Sequence, residues 1–158
     1  METFKCITVR QPFADMLTEP AFQDEAGLWR ARKSIEVRPR STSYRGDLLV
    51  TSSARGMDGH AGGVVCGIVE LYGVKRVEDF DEDDWKTTCL PPERQPKTGY
   101  GWLVRDPRRA VVPLPARGRT GIFTQTFQDG EIGVYPRYLH LGREGWRRVF
   151  EASKKTKR

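Results

Sequence analysis

Short apolar runs, separated by polar stretches rich in Gly, Pro and Arg, set the rhythm of this chain. Residues 4–9 form the first run and predict a strand that stops at Arg10-Gln11-Pro12. Pro12 suits the first turn of a helix, where its missing N–H costs nothing, and Phe13, Ala14, Met16 and Leu17 continue it to Glu19-Pro20. Residues 20–31 have no period and read as a loop anchored by Trp29. Residues 34–37 alternate, with Ile35 and Val37 on a core face and Glu36 and Arg38 on the other. Residues 47–53 predict a further strand, with Leu48-Leu49-Val50 buried and Thr51, Ser52 and Ser53 at its small-residue end.

The second half continues in the same way. Residues 55–63 are a Gly-rich loop, but no Gly-Lys-Ser/Thr follows and the phosphate-cradling P-loop pattern is absent. Residues 64–74 are the longest strand-like stretch, rich in β-branched side chains. Residues 78–86 predict a short acidic helix capped at Asp79 or Asp81, and residues 91–99 a Pro-rich polar loop. Residues 100–104, 110–114 and 121–127 read as three more strands. Residues 143–152 predict a helix with Trp146, Val149 and Phe150 on one docking face, followed by a frayed Lys-rich end. Many short strands without long intervening helices predict an α+β fold: a small mixed β-barrel decorated by short helices. The expected division is a barrel domain over residues 1–130 and a C-terminal helix with a basic tail over 131–158.

Composition narrows the functional classes. At 158 residues the chain is long enough for a core without disulfide staples. No apolar run approaches the length of a membrane-spanning helix, so no membrane partner is expected. Residues 1–6 lack the basic-then-apolar order of a secretory signal. Cys6, Cys66 and Cys89 are odd in number and far apart, with no CxxC pair. With only His60 and His140 to join them, no metal site is expected, and a reducing cytoplasmic setting fits best.

The net charge of +6 is unevenly spread. Residues 143–158 carry seven basic and two acidic side chains, which leaves +1 for the first 142, while residues 78–84 alone contribute −6. The cations are Arg-heavy, 19 against 8 Lys, and Arg offers a planar fork for phosphate. Such a balance favours a polyanionic partner, against the plain alternative of a solvated basic surface.

The most informative block is Lys33-Ser-Ile-Glu36-Val-Arg38, followed by Tyr44-Arg45-Gly46. On an extended strand Glu36 and Arg38 share a face, and Lys33 leans toward it. Arg38 then suits a phosphate and Glu36 a base amino group; the plain reading is a solvated ion pair worth under about 1 kcal/mol. His60 reads as a solvated loop residue, and the 81–84 acidic run as a helix face lacking a calcium-loop pattern. Tyr100 and Trp102 alternate on a strand and offer base stacking, with at least one expected in the core.

Taken in order, Ile7-Thr-Val-Arg-Gln11-Pro12-Phe-Ala, Lys33-x-x-Glu36-x-Arg38, Tyr44-Arg45-Gly46-x-Leu-Leu-Val, Gly67-Ile-Val-Glu70-Leu and Tyr100-Gly-Trp102-Leu-Val resemble the activating signal cointegrator 1 homology (ASCH) domain over residues 4–127. The resemblance implies a PUA-like β-barrel whose cleft binds RNA, other single-stranded nucleic acid or a modified nucleotide, with no cofactor. It implies that Gln11, Lys33, Glu36, Arg38 and Arg45 serve binding, and Arg10, Ser52, Ser53 and Trp102 are taken as further binding candidates beside them. One departure is the longer segment 18–32, which ends in Ala31-Arg32 where the family has a short turn ending in Gly.

Some relatives hydrolyse the acetyl amide of N4-acetylcytidine, through the motif lysine, a threonine three residues on, and a later glutamate. Here Glu36 stands in the threonine's place, and Glu70 or residues 82–84 would supply the second carboxylate. Others are reported as metal-independent ribonucleases, and Lys33, Tyr44 and Ser52 or Ser53 could serve such chemistry here through proton transfer and phosphate stabilisation. Lys33, Glu36 and Tyr44 are therefore the catalytic candidates should the cleft be an enzyme's. Binding is the first expectation, catalysis in the same cleft the second, and a protein-interaction module built on the acidic run and terminal helix the third.

Overall fold

The computed structural model describes residues 1–136, 139 and 144–148. Six strands form one mixed sheet in the order β4-β7-β6-β5-β1-β8, and β2 and β3 make a separate two-stranded sheet. The strands are β1 (Glu2–Val9), β2 (Pro20–Gln23), β3 (Trp29–Ala31), β4 (Ile35–Arg38), β5 (Gly46–Ser52), β6 (Val65–Arg76), β7 (Tyr100–Arg109) and β8 (Phe123–Phe127). Among the described residues, α1 (Phe13–Thr18) and α2 (Glu82–Thr88) lie between the strands, and residues 144–148 are also helical. Among the described residues β1 and β5 pair in parallel, and β1/β8, β5/β6, β6/β7 and β4/β7 are antiparallel. This is the mixed, mostly stranded α+β class that the apolar pattern predicts.

Both faces of the sheet are buried, as alternation along β1 and β5 requires. Ile7, Val9, Leu48 and Val50 point to one face, where they pack with Ala14 and Leu17 of α1 and with Val69, Trp102 and Val104. Cys6 and Leu49 point to the other, against Ile68, Ala110, Leu114 and Phe127. Register irregularities interrupt the β5/β6 ladder once and the β6/β7 ladder twice. Such bulges bend a strand and increase its twist. The edge strands β4 and β8 do not pair with each other among the described residues. The bent sheet nevertheless brings β4 next to the end of β1.

The segment read as a loop over residues 20–31 is in fact a hairpin of β2 and β3. Turn chemistry rather than periodicity makes it: the Asp24 carboxylate accepts from the N–H groups of Ala26 and Leu28 at 3.0 and 2.9 Å, and Gly27 takes a φ of +81°. The strand expected over residues 110–114 is absent; Ala110 makes a single bridge to Val134. Pro113 and Pro115 lack the N–H that a ladder needs, although Ala110 and Leu114 are buried as expected. The acidic helix starts at the predicted Asp81, in a capping box with Asp84. Residues 144–148 are helical and Trp146 is 1% exposed, its ring 5.5 Å from that of Tyr135. Val149, Phe150 and the Lys-rich end lie outside the described residues.

Candidate functional site

The cleft arises because β8 is short. Its ladder with β1 ends at Cys6 opposite Phe123, so Thr8 and Val9 are paired on the β5 side only. The guanidinium of Arg38 reaches across from β4 and donates from Nη2 to the Thr8 carbonyl at 2.9 Å. A seam therefore separates the last residues of β1 from β4, and it widens into a cleft of about 670 Å³.

Lys33, Glu36 and Arg38 form one connected row along this seam. The backbone of residues 33–34 is fixed by three elements: Lys33 N–H donates to Met16, Ser34 N–H to Thr87, and the Ser34 carbonyl accepts from Val104. With its backbone held, Lys33 is 1% exposed, and its Nζ donates to the Thr88 carbonyl at 2.6 Å. That carbonyl lies in the last turn of α2, where carbonyls lack helical partners and the helix dipole favours a cation. Lys33 Nζ also sits 3.4 Å from Glu36 Oε1 and 4.9 Å from the centre of the Phe13 ring. Glu36 Oε2 accepts from Arg38 Nε at 3.2 Å. Arg38 in turn lies 5.6 Å from the Trp102 ring.

Arg10 and Arg94 complete the charged lining, giving four cations against one carboxylate. Phe13, Val9, Leu90 and Pro96 add apolar wall. The lining thus offers donors for phosphate, one acceptor in Glu36, and surfaces for a planar ring.

The charged face of β4 is the inner one. Glu36 is in register with Trp102 and Arg38 with Tyr100, both of which belong to or pack on the α1-side core. Ile35 lies on the opposite face, near Phe80, where Gly101 leaves the room. Ile35 is buried as expected, whereas Val37 is half-buried and lines the cleft.

Several residues expected at the ligand are used elsewhere. Gln11 is 2% exposed and donates to the Ala61 carbonyl at 2.8 Å while accepting from the Asp15 N–H. Ser52 is fully buried and donates to the same Ala61 carbonyl at 2.8 Å. Both satisfy the backbone of the Gly-rich loop rather than facing the cleft, as buried carbonyls demand. Ser53 bonds through its backbone to Val9. Trp102 is buried beneath Arg38 and donates its ring N–H to the Arg40 carbonyl. Arg45 is exposed and bonds the carbonyls of Thr42 and Tyr44 within a turn. Tyr44 donates to the Asp47 carbonyl at 2.7 Å and does not line the cleft.

The second carboxylate considered for hydrolysis is also elsewhere. Glu70 pairs with Arg105 and lines a separate cavity of about 410 Å³ beside the β2–β3 hairpin. Asp84 caps α2 and takes Lys75 at 2.6 Å. His60, read as solvated, holds Asp15 Oδ2 at 2.7 Å through Nδ1, and Asp15 Oδ1 takes Arg109 at 2.8 Å. Burial alone would raise the Asp15 pKa, but the His60 hydrogen bond and the Arg109 charge hold it well below the ordinary carboxylate range. Burial pushes Cys66, in the same core, up to about 12.

Sequence reasoning missed Arg94, which arrives on a polar loop with no apolar pattern to place it. It also missed the Asp15–Arg109 pair, for which an Asp on the apolar face of α1 was the available signal.

The chain belongs to the ASCH family: the ASCH domain model matches residues 7–138. Among solved structures it is similar to an ASCH protein from Zymomonas mobilis, with 12% identity, a TM-score of 0.56, and coverage of 77% of this chain and 87% of that one. A tyrosine-to-phenylalanine mutant of the Zymomonas mobilis protein aligns at 14% identity and a TM-score of 0.49, covering 72% and 74%. No curated protein matches the chain. No helix among the described residues is long and apolar enough to cross a membrane.

Proposed function

We propose that the seam cleft binds single-stranded nucleic acid, RNA in the first place, and holds one nucleotide against the Lys33–Glu36–Arg38 row. The observation that carries this reading is the buried Lys33 ammonium, fixed between the end of α2 and Glu36 in a cleft lined by four cations and one carboxylate. The cations supply phosphate affinity, and Glu36 supplies the acceptor that a base N–H would meet. Phe13 gives a ring face on the same wall.

Binding without chemistry is favoured over hydrolysis. Glu36 is the one carboxylate among the cleft-lining residues, and both its oxygens already meet cations. Tyr44 belongs to a turn outside the cleft.

The test is a salt titration of fluorescent single-stranded RNA against wild type and the Lys33→Ala/Arg38→Ala variant, with circular dichroism to verify folding. Wild type is expected to bind at low salt, and the variant to lose at least about tenfold, since contacts of this kind are worth roughly 1–3 kcal/mol each. Equal affinity of a folded variant, or no binding by wild type at low salt, would remove the reading.

A further inference from the structure

We infer that the sugar–phosphate backbone of the bound strand leaves the cleft across the 117–119 loop. This rests on the binding reading above and extends it. The cleft itself, at about 670 Å³, has room for roughly one nucleotide. The seam, however, continues past the cleft. Thr8 lines the cleft, and its hydroxyl accepts from the Arg119 N–H at 3.1 Å.

Gly118 seats the same loop flush against that residue. A Cβ at Gly118 would lie 3.0 Å from Thr8 Cγ2. The loop is therefore fixed to the rim, with the exposed Arg117 and Arg119 on either side of the glycine. Arg94, which lines the cleft, and Lys97, both exposed, stand on the 91–99 loop.

Three cations of the sheet outside this rim are matched by carboxylates. Arg105 of β7 is matched by Glu70, Arg108 of β7 by Asp47, and Lys75 of β6 by Asp84 of α2. Arg10, Arg94, Arg117 and Arg119 have no carboxylate partner among the described residues. Guanidinium groups left unmatched around an open-ended, cation-lined cleft fit successive phosphates of an extended strand.

The experiment compares a 12-nucleotide single-stranded RNA with a nucleoside 5′-monophosphate. The proteins are wild type, Arg117→Glu/Arg119→Glu, Arg38→Ala, and an equal charge reversal at Arg147 and Arg148. The rim variant is expected to bind the 12-mer at least about tenfold more weakly, with a log K against log salt slope shallower by about 1.4, two phosphates at ~0.7 each. Its monophosphate affinity stays at the wild-type value, whereas Arg38→Ala weakens both ligands. A rim variant with wild-type 12-mer affinity and slope overturns the inference. So does an Arg147/Arg148 reversal with an equal effect, since net charge alone would then explain the loss. Failure of wild type to bind either ligand is a different result, and it removes the binding reading itself.

Discussion

Arg38 and Thr8 are joined across the gap in the sheet, the guanidinium Nη2 donating to the carbonyl at 2.9 Å. One side chain thus does at this seam what a backbone ladder does elsewhere. The same guanidinium holds Glu36, so closure of the seam and the layout of the cleft depend on one residue. Arg38→Ala is expected to cost about 1.5–3 kcal/mol, the usual worth of hydrogen bonds to a charged group. Its side chain keeps 18% exposure, which favours the lower end. Arg38→Lys restores charge but not the fork, and should recover only part of the loss in urea denaturation.

Gly101 decides how closely α2 and its preceding turn approach β7. A Cβ there would run into the Phe80 ring and come within 2.8 Å of Ile35. Gly101→Ala should therefore destabilise by about 1–3 kcal/mol through overpacking. Phe80→Leu is expected to relieve part of that cost, so the double variant should lose less than the sum of the singles. Additive losses would place the strain elsewhere.

Asp15 links stability to acid. Its folded pKa is depressed, chiefly by His60 and Arg109 working against burial. A depressed carboxylate contributes stability that is fully present above its unfolded pKa of about 3.9 and is lost as pH falls toward the folded value. Wild type should lose stability steadily below about pH 4, and Asp15→Asn should flatten that dependence. At neutral pH the variant leaves Arg109, 1% exposed, without its carboxylate, at a cost of about 3–5 kcal/mol. Chemical denaturation at pH 3, 4 and 7 checks both.

The thiols should separate by burial. Cys6 and Cys66 are fully buried, and burial raises them to about 11 and about 12. Cys89 is half-buried. At pH 8 an aromatic disulfide reagent should titrate at most one thiol in the native protein, and three after unfolding. Fast labelling of a second thiol in native protein would contradict this core.

The line between what the chain made legible and what it hid follows the range of the interaction. The i, i+2 spacing of Glu36 and Arg38 already puts both on one face, and that face holds the cleft. Asp81 as a helix cap and Cys6 and Cys66 as buried thiols follow equally from local pattern. Which face of β4 is inner depends on its register with Trp102 and Tyr100, some 60 residues away. Gln11 and Ser52 look like ligand contacts in a motif, yet the Ala61 carbonyl on a distant loop needs both as donors. The hairpin over residues 20–31 is specified by Asp24 and Gly27, a turn signal that a search for apolar period passes over.

The central claim is the location of the interface, and it is tested most directly by titrating a single-stranded RNA 12-mer into isotope-labelled protein and following backbone amide shifts. Saturable shifts are expected at Thr8–Arg10, Lys33–Arg38, residues 90–97 and residues 117–119, weakening as salt rises. Saturable shifts confined to the separate cavity around Glu70 and Arg105, with the Lys33–Arg38 row unmoved, would contradict it.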